Sequence, residues 1–92
     1  MKKRISTDRA PAAVGPYSQG IEAGGFIFVS GQLPATPDGD LITDDIAAAT
    51  KQSLENISAV LKAAGASLAD VVKVTVFLAD MDDFGAMNEV YK

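Results

Sequence analysis

The chain has 92 residues and a mass of 9.5 kDa, with 48% hydrophobic and 22% charged residues, the composition of a single small globular domain over 1–92 rather than of a disordered segment. It contains no cysteine and no histidine, which excludes disulfides, Cys or His zinc sites, cysteine nucleophiles and a Ser-His-Asp triad within these residues; a purely oxygen-ligated cation stays open. Eight basic residues stand against twelve acidic ones for a net charge of −4, but Lys2, Lys3, Arg4 and Arg9 crowd the first nine positions, so the body from residue 10 onward holds four lysines against eleven carboxylates, a net of −7. Such a body repels a phosphate backbone, which disfavours nucleic acid as a partner. The basic start is followed by Ser6-Thr7-Asp8-Arg9 where a signal peptide would place an apolar run, and no stretch is apolar enough to span a bilayer. A cytoplasmic protein without a membrane partner is the expectation.

Residues 10–16, Ala-Pro-Ala-Ala-Val-Gly-Pro, read as an extended loop, because each proline pushes its predecessor out of the α region. Tyr17 to Glu22 reads as a strand, Gly24-Gly25 as the positive-φ pair of a tight hairpin, and Phe26 to Ser30 as the returning strand. Gly31 to Thr43 is a long loop with a turn at Pro37-Asp38-Gly39-Asp40. Thr43 is the expected N-cap of a helix whose first turn carries Asp44 and Asp45, whose apolar stripe runs Ile46, Leu54, Ile57, Val60, Leu61, Ala64, and which ends at Gly65. Val71 to Leu78 reads as a strand with Val72, Val74, Val76 and Leu78 on one face, and Asp80 as the cap of a second helix with Phe84, Met87, Val90 and Tyr91 inward. The order is β-β-α-β-α, an α+β class in which three strands give two amphipathic helices a narrow platform.

Generic catalytic motifs are missing: there is no P-loop, GxGxxG fingerprint or HExxH helix. The paired carboxylates Asp44-Asp45 and Asp82-Asp83 sit at expected helix starts, where the dipole explains them better than a metal or acid/base role. Phe26 and Phe28 read as core rather than as a stacking platform for bases. Three features leave a functional reading open. Tyr17 follows a rigid Gly15-Pro16 loop that can aim its hydroxyl into a cleft, or is a packed tyrosine at a strand start. Ser30-Gly31 ends an apolar strand with a hydroxyl and a residue that permits close backbone approach, or is turn chemistry. Asn88 lies beside the inward stripe of the second helix, where an amide needs partners and a structural role is favoured.

The blocks Ala10-Pro11 through Gly15-Pro16-Tyr17-Ser18-Gln19, Phe28-Val29-Ser30-Gly31-Gln32-Leu33-Pro34, Asp70-Val71-Val72-Lys73-Val74-Thr75-Val76-Phe77-Leu78, Asp83-Phe84 and Asn88-Glu89-Val90-Tyr91 together resemble the RidA/YjgF family of enamine/imine deaminases over about residues 9–92. The resemblance implies a chorismate-mutase-like fold, a homotrimer with substrate in clefts between subunits, no cofactor, and hydrolysis of 2-aminoacrylate, 2-aminocrotonate or their imines to 2-oxoacids and ammonia, a damage-control reaction on species released by pyridoxal-phosphate enzymes. It also implies that Tyr17 and Ser30 are catalytic and that Gly31 and Asn88 bind substrate. Family members run on through two further strands carrying an arginine for the substrate carboxylate and a glutamate for the attacking water. Residues 1–92 stop before them, and Arg4 and Arg9 do not match that motif. The expectation is therefore a Rid-type fold truncated before its last two strands. Its alternatives are a non-catalytic small-ligand-binding or assembly protein and, less favoured, a ribonuclease or translation inhibitor.

Overall fold

The computed structural model of the chain describes residues 3–12, 18–42, 45–74, 82 and 84–91. Three short strands, β1 (Lys3–Ile5), β2 (Gly20–Ala23) and β3 (Phe26–Val29), form an antiparallel sheet in the order β1-β2-β3. Helix α1 (Ile46–Ala63) packs against β3, and helix α2 (Phe84–Tyr91) packs against α1. A 3₁₀ turn over Leu68–Asp70 lies between the helices.

The β2–β3 hairpin forms as the glycine pair dictates, with Gly24 at φ 58° and Gly25 at φ 83°. Both values are left-handed, so the connection twists with the strands. The register Ile5↔Gly20↔Val29 lines up one row across the sheet, with Lys3↔Glu22↔Ile27 parallel to it. Side chains alternate in direction along a strand, so these rows share a face. That face carries the core: Ile5, Ala10 and Val60 are buried together, with Ile27, Val29, Ala59 and Ala64 packed against them. Gly20 lets α1 close on β2, because a Cβ there would lie only 2.9 Å from Cγ1 of Val60.

Several expectations are corrected. The first strand begins at Lys3, in the stretch read from sequence only as a basic start. Three residues are too few to show a period, and β1 exists because it pairs with β2. The second strand begins at Gly20 rather than Tyr17, and its partner ends at Val29 rather than Ser30. Phe26 and Phe28 are each 62% exposed, not core, because the alternation that turns Ile27 and Val29 toward α1 turns the phenylalanines away from it. Val71–Val74 form no strand, and Val72 is 90% exposed. Alternating apolar residues specify a face, but a strand also needs a hydrogen-bonding neighbour, and the rest of that segment lies outside the described residues.

Helix α1 is capped by Asp45, whose carboxylate accepts from the N–H of Ala47 (3.0 Å) and Ala48 (3.4 Å). The cap expected at Thr43 therefore moves two residues along; Thr43 and Asp44 lie outside the described residues. The C-terminus closes as predicted. Gly65, at φ 82°, donates to the carbonyl of Lys62 (3.0 Å), and Ala66 donates to that of Leu61 (2.8 Å), a Schellman pair. Asp45→Ala is expected to lower stability by about 1 kcal/mol, read as a fall in the denaturant midpoint at unchanged slope. In α2, Met87 is buried as expected, whereas Phe84 and Tyr91 are exposed. The expected cap Asp80 lies outside the described residues.

Candidate functional site

Two of the four site candidates, Ser30 and Gly31, lie just past the end of β3. Ser30 stands one residue past the last ladder pair, Gly20↔Val29, and its N–H donates to the carbonyl of Gln19 at 3.0 Å. Its side-chain hydroxyl donates to the carbonyl of Ser18. With that hydrogen committed, the half-buried Ser30 Oγ offers its lone pairs as an acceptor, suited to an N–H of an imino group or an O–H of a water. Ser18 directly follows Tyr17 in the chain, so the hydroxyl of Ser30 is tied to the residue next to the other catalytic candidate. Tyr17 itself lies outside the described residues.

Gly31 is exposed, and a Cβ placed on it would meet nothing within 4 Å. Nothing among the described residues makes the close approach that a glycine permits there. Asn88 is half-buried on α2 beside the buried Met87, and no hydrogen bond of its side chain occurs among the described residues. The structure thus joins Ser30 and Gly31 at one strand end and sets Asn88 on a helix that packs chiefly on α1. A hollow of about 130 Å³ beside Ser18 and Gln19 and a wider groove of about 520 Å³ along α1 are lined by none of Ser30, Gly31 and Asn88. Among the described residues, no three His, Cys, Asp or Glu side chains converge to hold a metal ion, and no helix is long and apolar enough to cross a membrane.

Gln19 and Asn56, to which sequence alone assigns no role, are the buried polar side chains among the described residues. The Gln19 amide accepts from the N–H of Thr7 (2.6 Å) and its Nε2 reaches the carbonyls of Thr7 (3.0 Å), Ala10 (3.2 Å) and Pro11 (2.8 Å). Asn56, fully buried, donates from Nδ2 to the carbonyls of Leu33 (3.1 Å) and Ala35 (2.8 Å), while its Oδ1 accepts from Nε2 of Gln52 (2.9 Å). The sequence does carry a signal for Asn56: it lies one turn before Val60 on the face that α1 buries, and an amide on such a stripe needs buried partners.

An antiparallel sheet packed on a long helix, with a second helix behind, is also the fold of solved relatives. The structure of Escherichia coli TdcF with bound serine superimposes with a TM-score of 0.92 at 47% identity, covering 97% of this chain and 70% of that one. The chain belongs to the family described as endoribonuclease L-PSP, the RidA/YjgF group, whose profile matches residues 7–92. A RutC family protein of Pyrococcus horikoshii is 56% identical over 92 residues, covering 99% of this chain and 73% of its own length. A 2-iminobutanoate/2-iminopropanoate deaminase of Salmonella typhimurium is 45% identical over 92 residues, covering 100% of this chain and 72% of its own. The Rid-type α+β fold expected from the sequence is therefore present, and the chain spans somewhat under three quarters of the length of these relatives.

Proposed function

We propose that the chain is a Rid-type deaminase that hydrolyses the imines of 2-aminoacrylate and 2-aminocrotonate to 2-oxoacids and ammonia. The observation that carries this reading is the acceptor-poised hydroxyl of Ser30 at an open strand end. The identity to a named 2-iminobutanoate/2-iminopropanoate deaminase across the chain supports it. In the reaction an enamine takes a proton at C3 to become the imine, and water adds to C2. The carbinolamine then expels ammonia and leaves the 2-oxoacid. Ser30 Oγ accepts a hydrogen bond from the imino N–H or from the attacking water, and Tyr17 orients the planar substrate. The bare backbone of Gly31 lets the substrate approach, and Asn88 binds it from a second wall. The family resemblance supports placing Ser30 and Asn88 in a cleft between copies of a cytoplasmic homotrimer in which residues 1–92 form one domain. No cofactor takes part.

A second reading, small-ligand binding without turnover, is favoured by the serine held in the TdcF structure. The family's endoribonuclease description suggests a third, but a body of net charge −7 and a chain without histidine suit a phosphodiester substrate poorly. The assay that separates them follows 2-oxobutanoate from 2-aminocrotonate generated by a dehydratase. Ser30→Ala is expected to slow release about 10- to 100-fold, since hydrogen bonds to charged groups are worth about 1.5–3 kcal/mol, and Tyr17→Phe is expected to slow it as well. If both variants kept the parent's rate, the site would be misplaced. RNA cleavage that weakens steeply with salt would restore the ribonuclease reading.

A further inference from the structure

We infer that Gln19 and Asn56 are positioning residues, two buried amides that fix the backbone on either side of Ser30 so that its hydroxyl faces the substrate in one orientation. The inference rests on the reading of Ser30 as the site of imine hydrolysis. Gln19 is 5% exposed and engages its whole amide: one N–H accepted and three carbonyls met, from Thr7 to Pro11. An amide has two N–H donors, so one of these is shared between two carbonyls. The main chain of the same residue receives the Ser30 N–H, and the residue before it receives the Ser30 hydroxyl. On the other side, Asn56 spends both donors on Leu33 and Ala35, the stretch by which the chain leaves Ser30 and Gly31. The N–H of Ile42 meets the carbonyl of Pro34 between them at 2.8 Å.

Apolar side chains of similar size would fill both places but leave the carbonyls that the two amides now meet without those donors. What they could not supply is direction. Hydrogen bonds are angular: the three carbonyls of the 7–11 segment hold Gln19, whose own main-chain carbonyl takes the Ser30 N–H, and Asn56 orients the Leu33 and Ala35 peptide planes on the way out, where apolar packing would only hold them near. A hydroxyl whose own donor bond goes to the carbonyl of Ser18 inherits its aim from that backbone. An error on the order of 1 Å at a reacting group costs about 10²-fold in rate, which gives two amides remote from the chemistry a kinetic role.

The test replaces each amide by the nearly isosteric acid, Gln19→Glu and Asn56→Asp, and compares kcat and KM for imine hydrolysis with the parent across about pH 5 to 8. Burial against carbonyls raises a carboxyl group's pKa. The acid is therefore charged and without a donor at the upper end, and neutral with one O–H donor at the lower. The expected result is a fall in kcat of about 10²-fold at pH 8 with KM nearly unchanged. The ratio to the parent should then recover at least about tenfold toward pH 5. Folded variants with the parent's kcat, or with a deficit that pH does not relieve, would overturn the inference. Should one acid variant not fold at pH 8, the other decides, and Gln19→Asn, which shortens the reach of the amide, gives a second kcat-against-KM comparison. If the parent itself shows no turnover, the proposed function fails separately. The clamp is then read from amide exchange: the N–H of Ser30 should exchange at least about tenfold faster in Gln19→Glu, and parental protection there would refute it.

Discussion

Gly20→Ala is expected to destabilise the fold by about 1–3 kcal/mol, although alanine in a strand would ordinarily be the better residue. The added Cβ would lie 2.9 Å from Val60 Cγ1, 3.3 Å from the carbonyl oxygen of Phe28 and 3.4 Å from Ile5 Cδ1. One of those neighbours is backbone held in the β2–β3 ladder, and another belongs to a fully buried valine, so neither yields cheaply. The loss of chain freedom that favours alanine offsets only about 0.4–1 kcal/mol. Val60→Ala alone should cost about 1–3 kcal/mol through the cavity it leaves beneath the sheet. Combined, the two changes should cost less than their sum by at least about 0.5 kcal/mol, because the second removes the methyl group that the first strikes. Urea denaturation of the four chains measures the cycle, and simple additivity would show that α1 does not close on β2 at Gly20.

The larger loss is expected at Asn56. Asn56→Leu keeps the volume but leaves the carbonyls of Leu33 and Ala35 and the amide of Gln52 without the partners they have now. At about 1–3 kcal/mol for each buried group left unpaired, the change should cost about 2–5 kcal/mol. Gln52→Ala is the control: its amide is half-buried and makes a single bond to Asn56, so its removal should cost no more than about 1.5 kcal/mol. Equal effects at the two positions would mean that the tie to the 33–35 loop contributes little.

What could be read from the sequence divides along physical lines. The Gly24-Gly25 hairpin, the turn around Pro37–Asp40 and the end of α1 at Gly65 were legible because each rests on local chemistry: left-handed glycines at four positions, Gly39 among them, and a Thr36 carbonyl that accepts from Gly39 at 2.8 Å. β1 was not legible, since Lys3-Arg4-Ile5 owes its conformation to a partner fifteen or more residues away. Phe26 and Phe28 misled because Ile27 and Val29 between them are equally apolar, and four such residues in a row do not say which face is inward. Their rings lie 6.4 Å apart on the outer face. At the candidate site, Ser30 and Gly31 could be named from the strand that they end. The supports could not. Gln19 stood in the motif without a role and Asn56 stood on a helix stripe otherwise read for its apolar members, because a buried amide is recognised by partners that only the folded chain supplies.

Rid-type chemistry in the Ser30 corner is what most needs a direct measurement. The most direct test is the rate of 2-oxobutanoate release from 2-aminocrotonate, produced in place by a dehydratase, with and without the 92-residue chain. Release well above the uncatalysed rate, many product molecules per chain, and its loss in Ser30→Ala are the predicted result. An unchanged rate from chain shown to be folded by its circular dichroism would contradict Rid-type chemistry there.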